Sequence, residues 1–152
     1  MSFKLVSIKD VPKPKLKKFD CGTEVLNEFL SRYSLKNDDI VGYFTLATEQ
    51  VVFEDIPDEY RGKLPKYPIP SLRIARLAVD KDLHGKGIGK WLLAQVFIKI
   101  VHVAEITGLY FIIVDAKETS KSFYEHYGFI KFKDKDLSYF LTVETVRKAM
   151  EG

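Results

Sequence analysis

LAVDKDLHGKGIGKWLL, residues 77–93, is the stretch from which the fold is read. Gly85, Gly87 and Gly89 alternate directly after the apolar run Leu72–Val79 (LRIARLAV) and directly before a helical pattern. From about Gly87 to Thr107, Ile88, Leu92, Val96, Ile100 and Ala104 form an unbroken i, i+4 row flanked by Leu93 and Phe97, the pattern of a helix with one buried face. Gly108 is a natural terminator, and Leu109–Val114 (LYFIIV) reads as a strand covered on both faces. Strand, long helix and strand in that order make a βαβ unit with a right-handed crossover.

Glycines at a strand-to-helix junction suit an anion. Backbone N–H groups can approach oxygens closely there, and the helix N-terminus adds about half a positive charge. Lys86 and Lys90 reinforce that field, so a diphosphate is the natural ligand. The spacing is not GxxxxGK[ST], which argues against a nucleoside-triphosphate loop. It overlaps GxGxxG, but Gly108 and Leu109 stand where a ribose-reading acid would lie about 20 residues on. Taken alone, the glycines also fit a tight turn with no ligand.

Outward from this unit, Phe3–Ile8 reads as a short strand ended by Pro12 and Pro14. Thr23–Leu35 reads as a helix with Thr23 as N-cap and Leu26, Phe29, Leu30 and Tyr33 on one stripe. Ile40–Ala47 is a strand, with Val51–Phe53 extending it or pairing nearby. Glu54–Pro70, with four prolines, is a linker that excludes a central strand. After Val114 come a short helix at Thr119–Tyr127, strands at Phe129–Lys133 and Leu137–Val143, and a helix to about Met150. One domain over residues 1–152 is expected, a mixed sheet with helices on both faces.

Composition bounds the rest. Of 152 residues 46% are apolar and 30% charged, which fits a globular chain. Lys and Arg number 24 against 21 acids, a net +3 that by itself proves no nucleic-acid partner. Locally, Lys4, Lys9, Lys13, Lys15, Lys17 and Lys18 crowd the first twenty residues. The single cysteine, Cys21, excludes an intrachain disulfide and fits a reducing cytoplasm. MSFKLVSIKD lacks a signal peptide's apolar core, and no apolar run is long enough for a membrane span. His84, His102 and His126 are too scattered for a metal site.

The sequence resembles the GNAT family of N-acetyltransferases. His84-Gly85-Lys86-Gly87-Ile88-Gly89 is similar to the family's acyl-CoA signature Arg/Gln-x-x-Gly-x-Gly/Ala, with His84 in the Arg/Gln place. Arg76-Leu77-Ala78-Val79-Asp80 is similar to its central strand, and Val114-Asp115-Ala116 with Phe123-Tyr124-Glu125-His126-Tyr127-Gly128-Phe129 to its fifth strand and FYxxxGF segment. Phe19-Asp20-Cys21-Gly22, Leu26-Asn27-Glu28-Phe29-Leu30 and Gly42-Tyr43-Phe44-Thr45-Leu46-Ala47 resemble the GNAT toxins of bacterial toxin–antitoxin pairs, which acetylate aminoacyl-tRNA. In one respect the chain departs: family members place a strand before GYFTLA, whereas only Lys36–Asp39 separates Leu35 from Ile40. Loss of an edge strand exposes core, which favours residues missing from this sequence over a protein lacking the strand.

The resemblance implies an α/β GNAT fold with a mixed, mostly antiparallel sheet and a central βαβ acyl-CoA unit. Acetyl-CoA is the implied donor, held by Leu77, Ala78, Val79, His84, Gly85, Lys86, Gly87, Ile88, Gly89 and Lys90. Tyr124 is the implied catalytic residue, a hydroxyl that protonates the departing thiolate. An N–H of Leu77–Val79 serves the oxyanion. An aminoacyl ester's amine needs no strong base; a lysine or polyamine substrate would, and Glu49 is the first candidate. Implied partners are aminoacyl-tRNA, met partly by Lys13, Lys15, Lys17 and Lys18, and a ribbon-helix-helix antitoxin; a homodimer is compatible. Acetylation of a small amine or a protein, or a non-catalytic acyl-CoA sensor, stays open on the sequence.

Overall fold

The structure, a computed structural model, describes Leu5 and residues 40–151 other than Lys63, Pro65 and Tyr67. The helix expected at Thr23–Leu35, Cys21, the N-terminal lysines and the Lys36–Asp39 step all lie outside the described residues. Of the strand expected at Phe3–Ile8 only Leu5 is described, and it belongs to no strand.

Five strands are described: β1 (Gly42–Val51), β2 (Ile69–Val79), β3 (Phe111–Asp115), β4 (Ile130–Lys131) and β5 (Ser138–Thr142). The helices are α1 (Ile88–Ala104), α2 (Lys121–His126) and α3 (Val143–Glu151). The sheet order is β1-β2-β3-β5-β4. β2 and β3 run parallel, Ser71 opposite Phe111 through Ile74 opposite Val114, so β2–α1–β3 is the βαβ unit expected from the sequence. β5 is antiparallel to both β3 and β4, which makes the sheet mixed. No described helix is long and apolar enough to cross a membrane.

The chain divides into two compact units, residues 1–45 with 76–96 and residues 46–75 with 97–152. In the first, Tyr43, Ala78, Ile88, Leu92, Leu93 and Val96 are buried, the strand residues with most of the predicted helix row. In the second, Val51, Ile56, Ile69, Phe111, Ile113, Phe132 and Phe140 form the core. Phe140 meets Phe111 and Tyr60 edge to face, at 5.2 and 5.6 Å. Each such side chain contributes about 1.5–3 kcal/mol by burial. All of Phe111–Val114 is buried, as the run without alternation predicts.

Several boundaries differ from the sequence reading. The strand expected at Ile40–Ala47 begins at Gly42 and runs on to Val51; of the Val51–Phe53 segment only Val51 belongs to it, and a 3-10 turn begins at Phe53. The proline-rich linker holds a second 3-10 turn at Asp58–Tyr60, and its end is the start of β2. Pro70 is tolerated near the strand's first residue, where it accepts at its carbonyl from Tyr110 N–H at 3.0 Å and has no N–H to leave unpaired. α1 stops at Ala104, with Thr107 bonded back to Val103.

Within the first unit Gly42 sits where nothing larger fits. A Cβ there would lie 2.7 Å from the Ala78 carbonyl oxygen and 2.7 Å from Leu92 Cδ1. Gly42→Ala is therefore expected to lower stability by about 1–3 kcal/mol through overpacking, measured by chemical denaturation. Unchanged stability would show that the backbone yields at no cost.

Candidate functional site

The strand-to-helix junction lies wholly within the first unit. Asp80 opens it: its N–H donates to the Val41 carbonyl at 2.8 Å, and its carboxylate accepts from Asp82 N–H at 3.0 Å. A 3-10 turn, Lys81–Leu83, follows. His84, Gly85, Lys86 and Gly87 are exposed. Gly85 and Gly87 adopt φ of +79° and +83°, a conformation that strains residues with a Cβ. Open space lies above both. The first bond into α1 runs from Trp91 N–H to the Gly87 carbonyl, 3.1 Å. The amides of Ile88, Gly89 and Lys90 therefore have no helical acceptor, and the helix end is available to an oxygen-rich anion. Lys86 and Lys90 are exposed beside it.

Two of the predicted residues act differently from a simple side-chain contact. Ile88 is 1% exposed, so it is enclosed and its side chain anchors α1 instead of meeting a ligand. His84 Nε2 lies 2.8 Å from the Val79 carbonyl. A carbonyl only accepts, so Nε2 carries the proton. The imidazole braces the turn onto the end of β2, close to Leu77, Ala78 and Val79, of which Ala78 is buried and the others half-buried.

Tyr124 belongs to the second unit. It is 5% exposed on α2 and packs edge to face against Phe123 at 5.2 Å and Phe129 at 5.4 Å. Phe129 in turn stacks on Phe97, and Phe123 meets Tyr127 edge to face, so those aromatics are packing residues. The Tyr124 carbonyl accepts from Tyr127 and Phe129 N–H, both 3.1 Å, which closes the turn at Gly128. Burial pushes its hydroxyl pKa up to about 12. It stays protonated at any physiological pH, as a proton or hydrogen-bond donor requires.

The second unit also holds a network that the sequence reading did not anticipate. Arg73 donates from Nε to Glu49 at 2.6 Å and also pairs with Asp115, whose other oxygen accepts from Ser138 Oγ at 2.7 Å. The hydrogen bond to Glu49, with the charge of Asp115, holds the guanidinium pKa above its usual value against the opposing effect of burial. The network links β1, β2, β3 and β5. Glu49 is thus engaged as the partner of an arginine, and Asp115 ties down the end of its strand. The only sequence signal was the presence of two arginines, Arg73 and Arg76, inside the run LRIARLAV. Among the described residues no group of His, Cys, Asp and Glu could hold a metal.

Comparisons with known proteins bear on these features. Residues 33–131 match the model of an acetyltransferase (GNAT) domain. A tRNA-acetylating toxin of Mycobacterium tuberculosis is 30% identical over 126 residues, 73% of this chain and 75% of the relative. Among solved structures, AtaT complexed with acetyl-methionyl-tRNAfMet superposes with a TM-score of 0.80 at 26% identity, covering 89% of this chain and 91% of the other. A tyrosine-to-phenylalanine variant of KacT also gives a TM-score of 0.80, at 27% identity over 88% and 91%.

The brace at His84 has a measurable consequence. His84→Ala is expected to speed exchange of the bonded turn amides of Asp82 and Leu83 about fivefold, the effect of one hydrogen bond on a local opening. His84→Gln, which can still donate to Val79, is expected to restore protection. Equal exchange in all three proteins would mean that the imidazole is a bystander.

Proposed function

Because the chain belongs to the GNAT acetyltransferases, enzymes that move acetyl from acetyl-CoA to an amine, we propose that it acetylates the α-amino group of aminoacyl-tRNA. The observation that carries this reading is the 30% identity to a tRNA-acetylating toxin over three quarters of that relative. The reading brings with it a neutralising ribbon-helix-helix antitoxin, the partner implied by the resemblance.

The junction fits the donor. Gly85 and Gly87 leave open space where a Cβ would stand, the first amides of α1 have no helical acceptor, and Lys86 and Lys90 supply positive charge for a diphosphate. When bound, acetyl-CoA supplies a thioester acyl group. In this proposal the Gly85–Lys90 backbone holds the diphosphate, and the β2 segment Leu77–Val79 offers an N–H to the carbonyl oxygen. Tyr124 donates toward the sulfur.

Magnitudes refine the role of Tyr124. A thiol of ordinary pKa ~8.5 is a stronger acid than a hydroxyl raised to about 12. Complete proton transfer from Tyr124 is uphill by roughly three to four powers of ten, about 5 kcal/mol. Its effective contribution is a hydrogen bond to sulfur as negative charge develops, while the proton gained by the thiolate balances the one the attacking amine releases. An α-amino group of pKa about 7.7–8.0 presents enough neutral amine near pH 7 without a strong base. That agrees with a Glu49 carboxylate already bound to Arg73.

Incubation with bulk charged tRNA and labelled acetyl-CoA tests the proposal. Label on the aminoacyl group is expected; label on polyamines or peptides and none on aminoacyl-tRNA would overturn it. Tyr124→Phe is expected to lower kcat by ~10²-fold with acetyl-CoA affinity within a few-fold. With a pKa of about 12, roughly one Tyr124 hydroxyl in a hundred is ionised at about pH 10. The kcat profile of the wild type should accordingly show no fall from Tyr124 ionisation below that pH; a Tyr124-dependent fall near pH 8 would contradict the buried, protonated donor.

A further inference from the structure

We propose that Tyr139 is a positioning residue that aims Tyr124 through Glu125, an inference that rests on the catalytic role just proposed for Tyr124. Tyr139 lies on β5 opposite Val114 of β3 and Lys131 of β4. Its ring is 1% exposed, in a place where phenylalanine would fill the same space. The hydroxyl is the difference, and it donates to Glu125 Oε2 at 3.0 Å. Glu125 is the residue after Tyr124 on α2 and is otherwise exposed.

α2 has six residues, too few to hold its own geometry, since isolated helices below about 12 residues are marginal. Its aromatic contacts, Phe123 and Tyr124 with Tyr127 and Phe129, are less directional than a hydrogen bond. A hydrogen bond between a strand and one side of the helix adds direction and sets the rotation of α2 about its axis. That rotation matters through leverage. A tyrosine hydroxyl stands roughly 9 Å from a helix axis whose Cα radius is about 2.3 Å, so a turn of about 10° displaces it by about 1.5 Å. Misplacement by about 1 Å is enough to reduce turnover by up to about 10²-fold. Burial together with the bond to Glu125 also raises the Tyr139 pKa, keeping the hydroxyl a donor.

The test is a double-mutant cycle on the full chain, with charged bulk tRNA as acceptor and calorimetry for acetyl-CoA. Tyr139→Phe is expected to lower kcat about fivefold, the worth of one hydrogen bond, and to leave the Kd for acetyl-CoA within twofold. In the Tyr124→Phe background the same substitution should have no further effect, because no hydroxyl is left to aim. Glu125→Ala, at an exposed site that tolerates truncation, should match Tyr139→Phe, and Glu125→Gln, which keeps an accepting oxygen, should retain most turnover. Unchanged kcat in Tyr139→Phe, or the same fold loss in both backgrounds, overturns the inference and leaves the role of Tyr124 standing. Unchanged turnover in Tyr124→Phe alone overturns that role and the inference with it.

Discussion

The parallel pairing of β2 with β3 is the constraint on which the rest of this structure depends. Two adjacent parallel strands require the chain to leave one end of the sheet, cross by a helix and return to the other. The chain must therefore pass from Val79 to Ile88 within eight intervening residues, 80–87. Two of those are glycines with positive φ, and each bond in the turn serves a polar group that the strand end would otherwise strand. Asp80 N–H goes to Val41, Asp82 N–H to the Asp80 carboxylate, and the Val79 carbonyl to His84. What is left unserved is the set of amides that opens α1. The anion site proposed at this junction would thus be a by-product of how a βαβ unit must turn.

The two compact units solve opposite electrostatic problems. At the junction, charge is gathered at the surface by lysines and unpaired amides, where a phosphate can meet it. Around Tyr124 an aromatic cluster removes water and raises the hydroxyl pKa, which makes the group a poor acid and a durable hydrogen-bond donor. Arg73 shows a third arrangement. Two carboxylates and one guanidinium, all partly exposed, bind strands together. Partial exposure screens such pairs, so their worth is about 1 kcal/mol or less each. Their effect is to fix strand ends and to engage carboxylates that would otherwise be candidate bases.

Much of this was legible in the sequence where the signal is local. The i, i+4 row of α1 and the unbroken apolar run of β3 each report their own burial, and the alternating glycines report their own backbone conformation. Boundaries were legible only in part. Pro70 marks a linker by composition, but an edge-tolerant proline at a strand's start is set by what lies across from it, here Tyr110. In the same way, Val51 reads as the start of a segment and is the end of β1. Non-local partnerships left no trace of which residue pairs with which. Glu49 with Arg73 and Tyr139 with Glu125 pair across strands and elements, 24 and 14 residues apart, and no spacing rule predicts them. His84 was legible as a departure from the Arg/Gln signature, whereas its bond to Val79 required the folded turn.

Acetyl-CoA titration by calorimetry, comparing the wild-type chain with Gly87→Glu, tests most directly whether the junction holds the donor's diphosphate. Gly87 has φ +83°, so the substitution strains the turn and sets a carboxylate where phosphate oxygens would sit. The account predicts that the wild type binds and that Gly87→Glu, with the fold intact by circular dichroism, shows no detectable heat of binding. Undiminished affinity in that variant would contradict it, reducing the alternating glycines to a turn.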